Sequence, residues 1–311
     1  SAYGATLGLL VSIPFYYYWG LNGIVPTLIL HSLATLFVTT IYARKVKIDR
    51  QTVTQKEMLY EGQSMLKLGI AMTISGVMTA LVSYVVRWYI RVEGGLEEVG
   101  LYQAGFAIIN VYVGMIFTAI GKDYYPRLSA VNQDDDKCRE IVCKQGEIAT
   151  LIMAPMLMVC LLIMPFLILL LYSNQFLPAN NFIAWACLGM MFKLVSWLIS
   201  FIFVAKAESK LFVINEVSSC MYSLLLDILG YYWGGLTGLG VSFALGFFVY
   251  FVQVYVIAHR RYSFNFSSDF TKVFSIELLF VTLILLIVTF VQYAILFADS
   301  NDTLLSNLRK T

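Results

Sequence analysis

Charge is scarce in this chain. Asp, Glu, Lys and Arg make up only 13% of its 311 residues, about half the share of a soluble domain. The net charge is +2, and the basic residues gather in short segments between apolar runs, which leaves no surface for nucleic acid. Histidine is limited to His31 and His259. The five cysteines are odd in number, with Cys138 and Cys143 in a polar segment and Cys160, Cys187 and Cys220 in apolar ones. Neither a disulfide framework nor a metal centre can be assembled from that set, and free thiols are expected. A Walker A pattern is missing, so the chain carries no ATPase of its own. Gly234, Gly235, Gly238 and Gly240 lie between apolar runs rather than in a βαβ unit. Neither Met nor a charged leader precedes Ser1, so no signal peptide is visible. The chain is expected to begin inside a longer protein.

What is abundant is apolar: 59% hydrophobic and 15% aromatic, in long blocks rather than the short alternating segments of an outer-membrane barrel. About nine spans are expected, at residues 3–19, 24–42, 68–90, 101–121, 148–172, 182–205, 211–232, 236–258 and 273–297. Pro155 and Pro165 predict a kink in the fifth, and Pro126 should end the fourth at Tyr125. Lys and Arg alternate with the spans: Arg44 to Lys56, Lys122 to Lys144, Lys206 with Lys210, and Arg260 with Arg261 fall on one side, and only Arg91 and the tail Arg309-Lys310 on the other, so the first side is cytoplasmic by the positive-inside rule. No outer loop exceeds about ten residues, which argues against a membrane polymerase or ligase with a catalytic loop or domain.

One phrase occurs twice. Tyr17-Tyr18-Trp19-Gly20-Leu21-Asn22-Gly23 returns about 214 residues later as Tyr231-Tyr232-Trp233-Gly234-Gly235-Leu236-Thr237-Gly238, with one extra glycine. Both copies face outward and are separated by an even number of spans, the pattern of two parallel halves. The expected organisation is the last two spans of a first lobe (1–45), an interfacial connector (46–66), a complete six-helix lobe (67–262), and one additional span with an outer tail (263–311). The offset places four further spans ahead of Ser1.

Several segments resemble one family. Arg87-Trp88-Tyr89-Ile90-Arg91, Gly94 to Glu97, and Val99 to Gly105 look like the seventh-to-eighth span region of bacterial Wzx-type O-antigen flippases. Asp123-Tyr124-Tyr125-Pro126-Arg127-Leu128-Ser129 resembles the motif after their eighth span, and Lys193 to Trp197 with Ala205-Lys206 resembles their tenth. The likeness covers most of residues 1–262. It implies the fold of multidrug/oligosaccharidyl-lipid/polysaccharide exporters, in which two six-helix lobes surround a cavity and work by alternating access in the bacterial inner membrane. The implied cargo is an undecaprenyl-pyrophosphate-linked oligosaccharide, with contacts to membrane lipid and to other polysaccharide-assembly proteins. A drug or cation antiporter, or a lipid II flippase, would share the superfold. The chain is not expected to be an enzyme or to hold a cofactor beyond coupling H+ or Na+.

Such a carrier needs cations, hydroxyls and amides in a wet cavity, and an ionisable group near the bilayer centre costs about 2.5–3.5 kcal/mol. Lys193 lies deep in its span, with Ser196, Trp197 and Ser200 at i+3, i+4 and i+7. It is read as a pyrophosphate or sugar contact, with an ion pair to Asp227 as the structural alternative. Arg87 and Arg91, one turn apart, offer forks for phosphate, although Arg91 could instead anchor at the headgroups. Asn110 sits on a polar face of the fourth span and could bind sugar or glue helices. Asn215, Ser219, Ser223 and Asp227 repeat every four residues, and Asp227 could pair with a cation or exchange a proton or Na+. Lys122, Asp123, Pro126 and Arg127 form a gate or an anchor at the inner end of the fourth span.

Overall fold

A helix needs about 20 apolar residues to cross the roughly 30 Å hydrocarbon layer. Three helices of this chain are more than twice that length, and how the two longest are accommodated determines the architecture. The computed structural model describes residues 14–15, 19–45 and 55–308. They belong to two compact units, Ser1–Tyr60 and Glu61–Thr311. In the first, a 3-10 turn (Gly20–Gly23) leads into α1 (Ile24–Lys45). Its Ser32, Thr35, Thr39 and Thr40 hydroxyls each donate to the carbonyl four residues back, at 2.8–2.9 Å. This keeps their protons satisfied within an apolar helix.

The second unit contains α2 (Gln55–Ala130) from Glu61 onward, α3 (Asp135–Leu171), a 3-10 turn (Asn174–Phe176), α4 (Ala179–Ala205), α5 (Ser209–Tyr262) and α6 (Ser268–Leu308). Among the described residues, five helices are long and apolar enough to cross a membrane. At 1.5 Å per residue the 76 residues of α2 would extend about 114 Å if straight. Instead α2 reverses at Gly95, whose φ of 83° lies where glycine is at ease and other residues are strained. The reversal is visible in its contacts. Tyr89 before the turn and Glu98 after it both meet Tyr231, one by ring contact at 5.9 Å and the other by accepting the Tyr231 hydroxyl at 2.5 Å. α5 reverses in the same way at Gly234–Gly235 (φ 54° at Gly235), so that residues 209–233 pair antiparallel with residues 236–262. Asn215 thereby reaches Tyr250 and Asp227 reaches Ser242.

α4 is the axle. It packs against α3, α5 and α6, and Ile183, Ala186, Cys187, Met191, Leu194, Ile199 and Phe203 are completely buried. A helix that is hydrophobic on all sides belongs in such a place. Small residues let the backbones touch. A Cβ on Gly189 would lie 2.9 Å from the Ala244 Cα, and one on Gly240 would lie 2.8 Å from the Phe182 carbonyl oxygen. α6 is fixed to α3 and α4 partly through aromatic rings, with Phe192 of α4 6.4 Å from Phe274 and the Phe270 ring packed where a Cβ on Gly146 of α3 would lie.

The repeated phrase has a repeated conformation. Gly20 (φ 52°) and Gly235 (φ 54°) both take the left-handed turn after Tyr-Tyr-Trp. Three residues on, a glycine in each copy lies against a carbonyl of a preceding residue. A Cβ on Gly23 would sit 2.6 Å from the Phe15 oxygen, and one on Gly238 would collide with the Gly230 oxygen.

The chain is thus an all-helical, polytopic membrane protein, and some expected boundaries shift. The loop expected from Gly94 to Gly100 contracts to the single break at Gly95. Pro126 does not end its helix, which continues to Ala130. The turn that loses its N–H at proline is held by tertiary contacts instead, with Leu128 fully buried and the Tyr124 hydroxyl donating to the Leu198 carbonyl at 2.6 Å. α3 runs through Pro155 and Pro165 as one continuous helix, and α6 exceeds the expected span at both ends. Most of the first expected span, residues 46–54 of the connector and the Arg309-Lys310 tail lie outside the described residues, while the rest of the connector forms the start of α2.

Gly238→Val should lower stability by about 1–3 kcal/mol, because the hairpin must open to admit the side chain. Gly234→Ala, where a Cβ meets nothing within 4 Å, should be nearly neutral. Thermal unfolding of both variants in detergent checks the contrast.

Candidate functional site

Inside the second unit the folded limbs of α2 and α5 enclose, with α4, a cavity of about 440 Å³. That falls within the usual range for small-molecule sites. Its apolar lining includes Val82, Val86, Phe106, Trp197, Phe201, Phe243 and Phe247. The polar lining holds Lys193 from α4, Glu216 and Asp227 from α5, and a set of hydroxyls at Thr79, Ser83, Ser196, Ser200, Ser219, Ser223 and Ser242.

Lys193 stands midway along α4. Its Nζ lies 5.1 Å from the Phe247 ring centroid and 5.9 Å from that of Phe117, so ring quadrupoles rather than a carboxylate hold the ammonium. Asp227 shares the cavity but is not its ion-pair partner. It accepts the Ser242 hydroxyl at 2.9 Å. Among the described residues every ion pair lies elsewhere, at the loop end of the bundle.

Glu216 escaped the sequence reading. Neighbouring Asn215, which completes a polar repeat, drew attention away from it, and its partners are remote: the Tyr250 hydroxyl donates to Oε1, and Ser75 donates to Oε2 at 3.4 Å. The only local signal was an acidic residue inside an apolar run. Gln253 Nε2 donates to Asn215 Oδ1 at 2.7 Å, and Asn215 Nδ2 donates to the Tyr250 oxygen at 3.1 Å. Each donor in this chain points onward, and it terminates on the Glu216 carboxylate.

The structure brings Lys193, Ser196 and Asp227 to one cavity and leaves the other candidates outside its lining. Arg87 is half-buried and donates from Nε to the Ser83 carbonyl of its own helix at 2.9 Å, while Arg91 is exposed. Asn110 likewise turns inward on its helix, donating to the Phe106 carbonyl at 2.8 Å.

Lys122, Asp123, Pro126 and Arg127 are exposed at the end of α2. Arg127 pairs with Asp123 at 3.4 Å and donates to Gln145 of α3 at 3.1 Å. The same end is tied by Lys206, which bonds Asp135 at 2.7 Å and the Asn132 carbonyl, and by Arg261 with Glu208 at 2.5 Å. Asp134 caps α3, and the Lys137 backbone N–H holds its carboxyl below the usual range.

Comparison with known proteins adds three findings. A family profile described as "Polysaccharide biosynthesis protein" matches residues 2–181. The Lipid III flippase of Escherichia coli (strain K12) is 26% identical over 160 residues, 51% of this chain and 38% of that protein, and its Shigella flexneri counterpart matches to the same extent. The matched stretch is therefore well under half the length of these relatives. The solved structure of the Lipid II flippase MurJ, inward closed conformation, aligns with 94% of this chain and 67% of its own, with a TM-score of 0.59 at 15% identity, a likeness of fold.

At the loop end the buried contact should outweigh the exposed one. Tyr124→Phe deletes the hydroxyl that satisfies the Leu198 carbonyl and should cost about 1–3 kcal/mol. Arg127→Ala removes a surface pair and should cost about 1 kcal/mol or less. Melting temperatures of the two variants in detergent test the ranking.

Proposed function

Since this chain belongs to the polysaccharide biosynthesis protein family, we propose that it is the carrier part of a bacterial inner-membrane flippase. Its cargo is an undecaprenyl-pyrophosphate-linked oligosaccharide, an O-antigen or related surface-polysaccharide repeat unit, moved by alternating access. The observation that carries this reading is Lys193, an ammonium placed in mid-membrane among aromatic rings, at a cavity otherwise rich in hydroxyls. A charge so placed needs a function to offset its cost, and a pyrophosphate supplies the missing anion. Arg87 and Arg91 would receive the phosphates at the hairpin end, and Asn110, midway along the following limb, would serve the sugars. The cluster of Lys122, Asp123, Pro126 and Arg127 would act as the cytoplasmic gate, because its links between α2 and α3 must rearrange if that end opens. The printed names of the relatives, which act on lipid III and lipid II, point to the same class of cargo.

A second reading rests on the two carboxylates, Glu216 and Asp227, in the same cavity. They would suit export of a cationic compound in exchange for H+ or Na+.

Lys193→Ala should lower surface-glycan display in a strain that depends on this protein by about tenfold or more, since a hydrogen bond to a charged group contributes about 1.5–3 kcal/mol. Lys193→Arg should restore part of it. Arg91→Ala, at an exposed position, should stay within about threefold of wild type. Full glycan display by the Lys193→Ala protein would remove the assignment, and a strain that becomes sensitive to cationic compounds without losing glycan would favour the second reading.

A further inference from the structure

Much of the cavity wall presents acceptors, beside the hydroxyls of Ser83, Ser223 and Tyr102, which can also donate. The Ser196, Ser200 and Ser219 hydroxyls each spend their proton on the carbonyl three residues back, and Thr79 spends its own on Ser75, at 2.8–3.0 Å. Only the lone pairs of these oxygens remain for a ligand. Glu216 and Asp227 are acceptors as well, which leaves Lys193 as the cavity's charged donor.

Around Glu216 this bias is strongest. The donor chain from Gln253 through Asn215 and Tyr250 fixes Oε1. Oε2 has only the long Ser75 contact of 3.4 Å, so its capacity to accept is largely unspent. Trp197 and Phe201, with rings 4.4 Å apart, line the same cavity and offer flat apolar faces.

From this we infer that Glu216 is the centre of a carbohydrate subsite, separate from the anion subsite at Lys193. A pyranose ring has the matching chemistry: several O–H donors for an oriented carboxylate and serine lone pairs, and apolar C–H faces for aromatic rings. Glu216 lies nearer the loop end and Lys193 at mid-membrane, so the cavity reads the glycan and the pyrophosphate of one cargo at different depths. The inference rests on the flippase reading proposed above, and the two can fail independently.

Two prenyl probes separate them. Geranyl diphosphate has the anion without a sugar, and geranyl β-D-glucoside has the hydroxyls without a charge. Binding of each to the purified full chain in detergent is measured by calorimetry. Glu216→Gln should weaken the glucoside by about tenfold, because a charge-assisted acceptor becomes a neutral one, and should leave the diphosphate within about twofold. Lys193→Ala should do the reverse. If Glu216→Gln does not fold, Tyr250→Phe, which frees the carboxylate from its donor chain, should weaken the glucoside selectively. Unchanged glucoside binding in the Glu216 or Tyr250 variant, equal loss of both probes, or diphosphate binding without glucoside binding in the wild type would overturn the subsite. Diphosphate binding unaffected by Lys193→Ala would instead overturn the pyrophosphate role of Lys193.

Discussion

Everything in the larger unit depends on two places where a long helix reverses on itself. Inside a bilayer the main chain must satisfy its own N–H and C=O groups, which favours long uninterrupted helices, and α2 and α5 are such helices. Only at Gly95 and at Gly234–Gly235 do they leave helical geometry. A reversal confined to one or two residues exposes few polar groups, and a neighbouring glycine, Gly238, lets the two limbs of α5 close to backbone contact. The folded limbs then lie against α4 and enclose the cavity. Without those contacts, Asp227 could not meet Ser242 nor Glu216 meet Tyr250, because each pair joins opposite limbs of one hairpin.

The cavity shows how the chain tolerates polar groups in a mostly apolar bundle. Each charge is given a different environment: aromatic faces for Lys193, one hydroxyl for Asp227, a chain of donors for Glu216. Ser196, Ser200 and Ser219 return their protons to the helix that bears them and keep only lone pairs for the interior. None of these arrangements neutralises Lys193 with a protein carboxylate. The loop end behaves differently. There Arg127, Lys206 and Arg261 all find partners, and those links hold the ends of α2, α4 and α5 to their neighbours.

Much of the fold was legible because membranes impose simple rules. Long apolar blocks give helices, and glycine pairs give reversals. The repeated Tyr-Tyr-Trp-Gly phrase was readable as a hairpin, and its two copies share a left-handed glycine. What misled was local propensity. Pro126 ought to stop a helix, yet Tyr124 and Leu128 bury on either side of it and carry the chain through. Gly94 to Gly100 has the composition of a loop, but one residue suffices for the turn. In the cavity, Lys193, Ser196 and Asp227 could be picked out because their spacing is local to a helix. Glu216 could not, since its setting depends on Tyr250 and Gln253, more than thirty residues away and visible only once α5 has folded back.

The central claim is that a protein containing this chain carries a lipid-linked sugar pyrophosphate across the bilayer. Reconstitution of the natural protein into vesicles with a fluorescent undecaprenyl-pyrophosphate-linked oligosaccharide tests it most directly. Transfer between leaflets is followed by exposure of the label to an impermeant quencher. The account expects protein-dependent transfer that saturates with cargo and is competed by unlabelled lipid-linked glycan. Vesicles in which the label stays on its original leaflet, while the same protein exchanges a cationic compound for H+ or Na+, would contradict it.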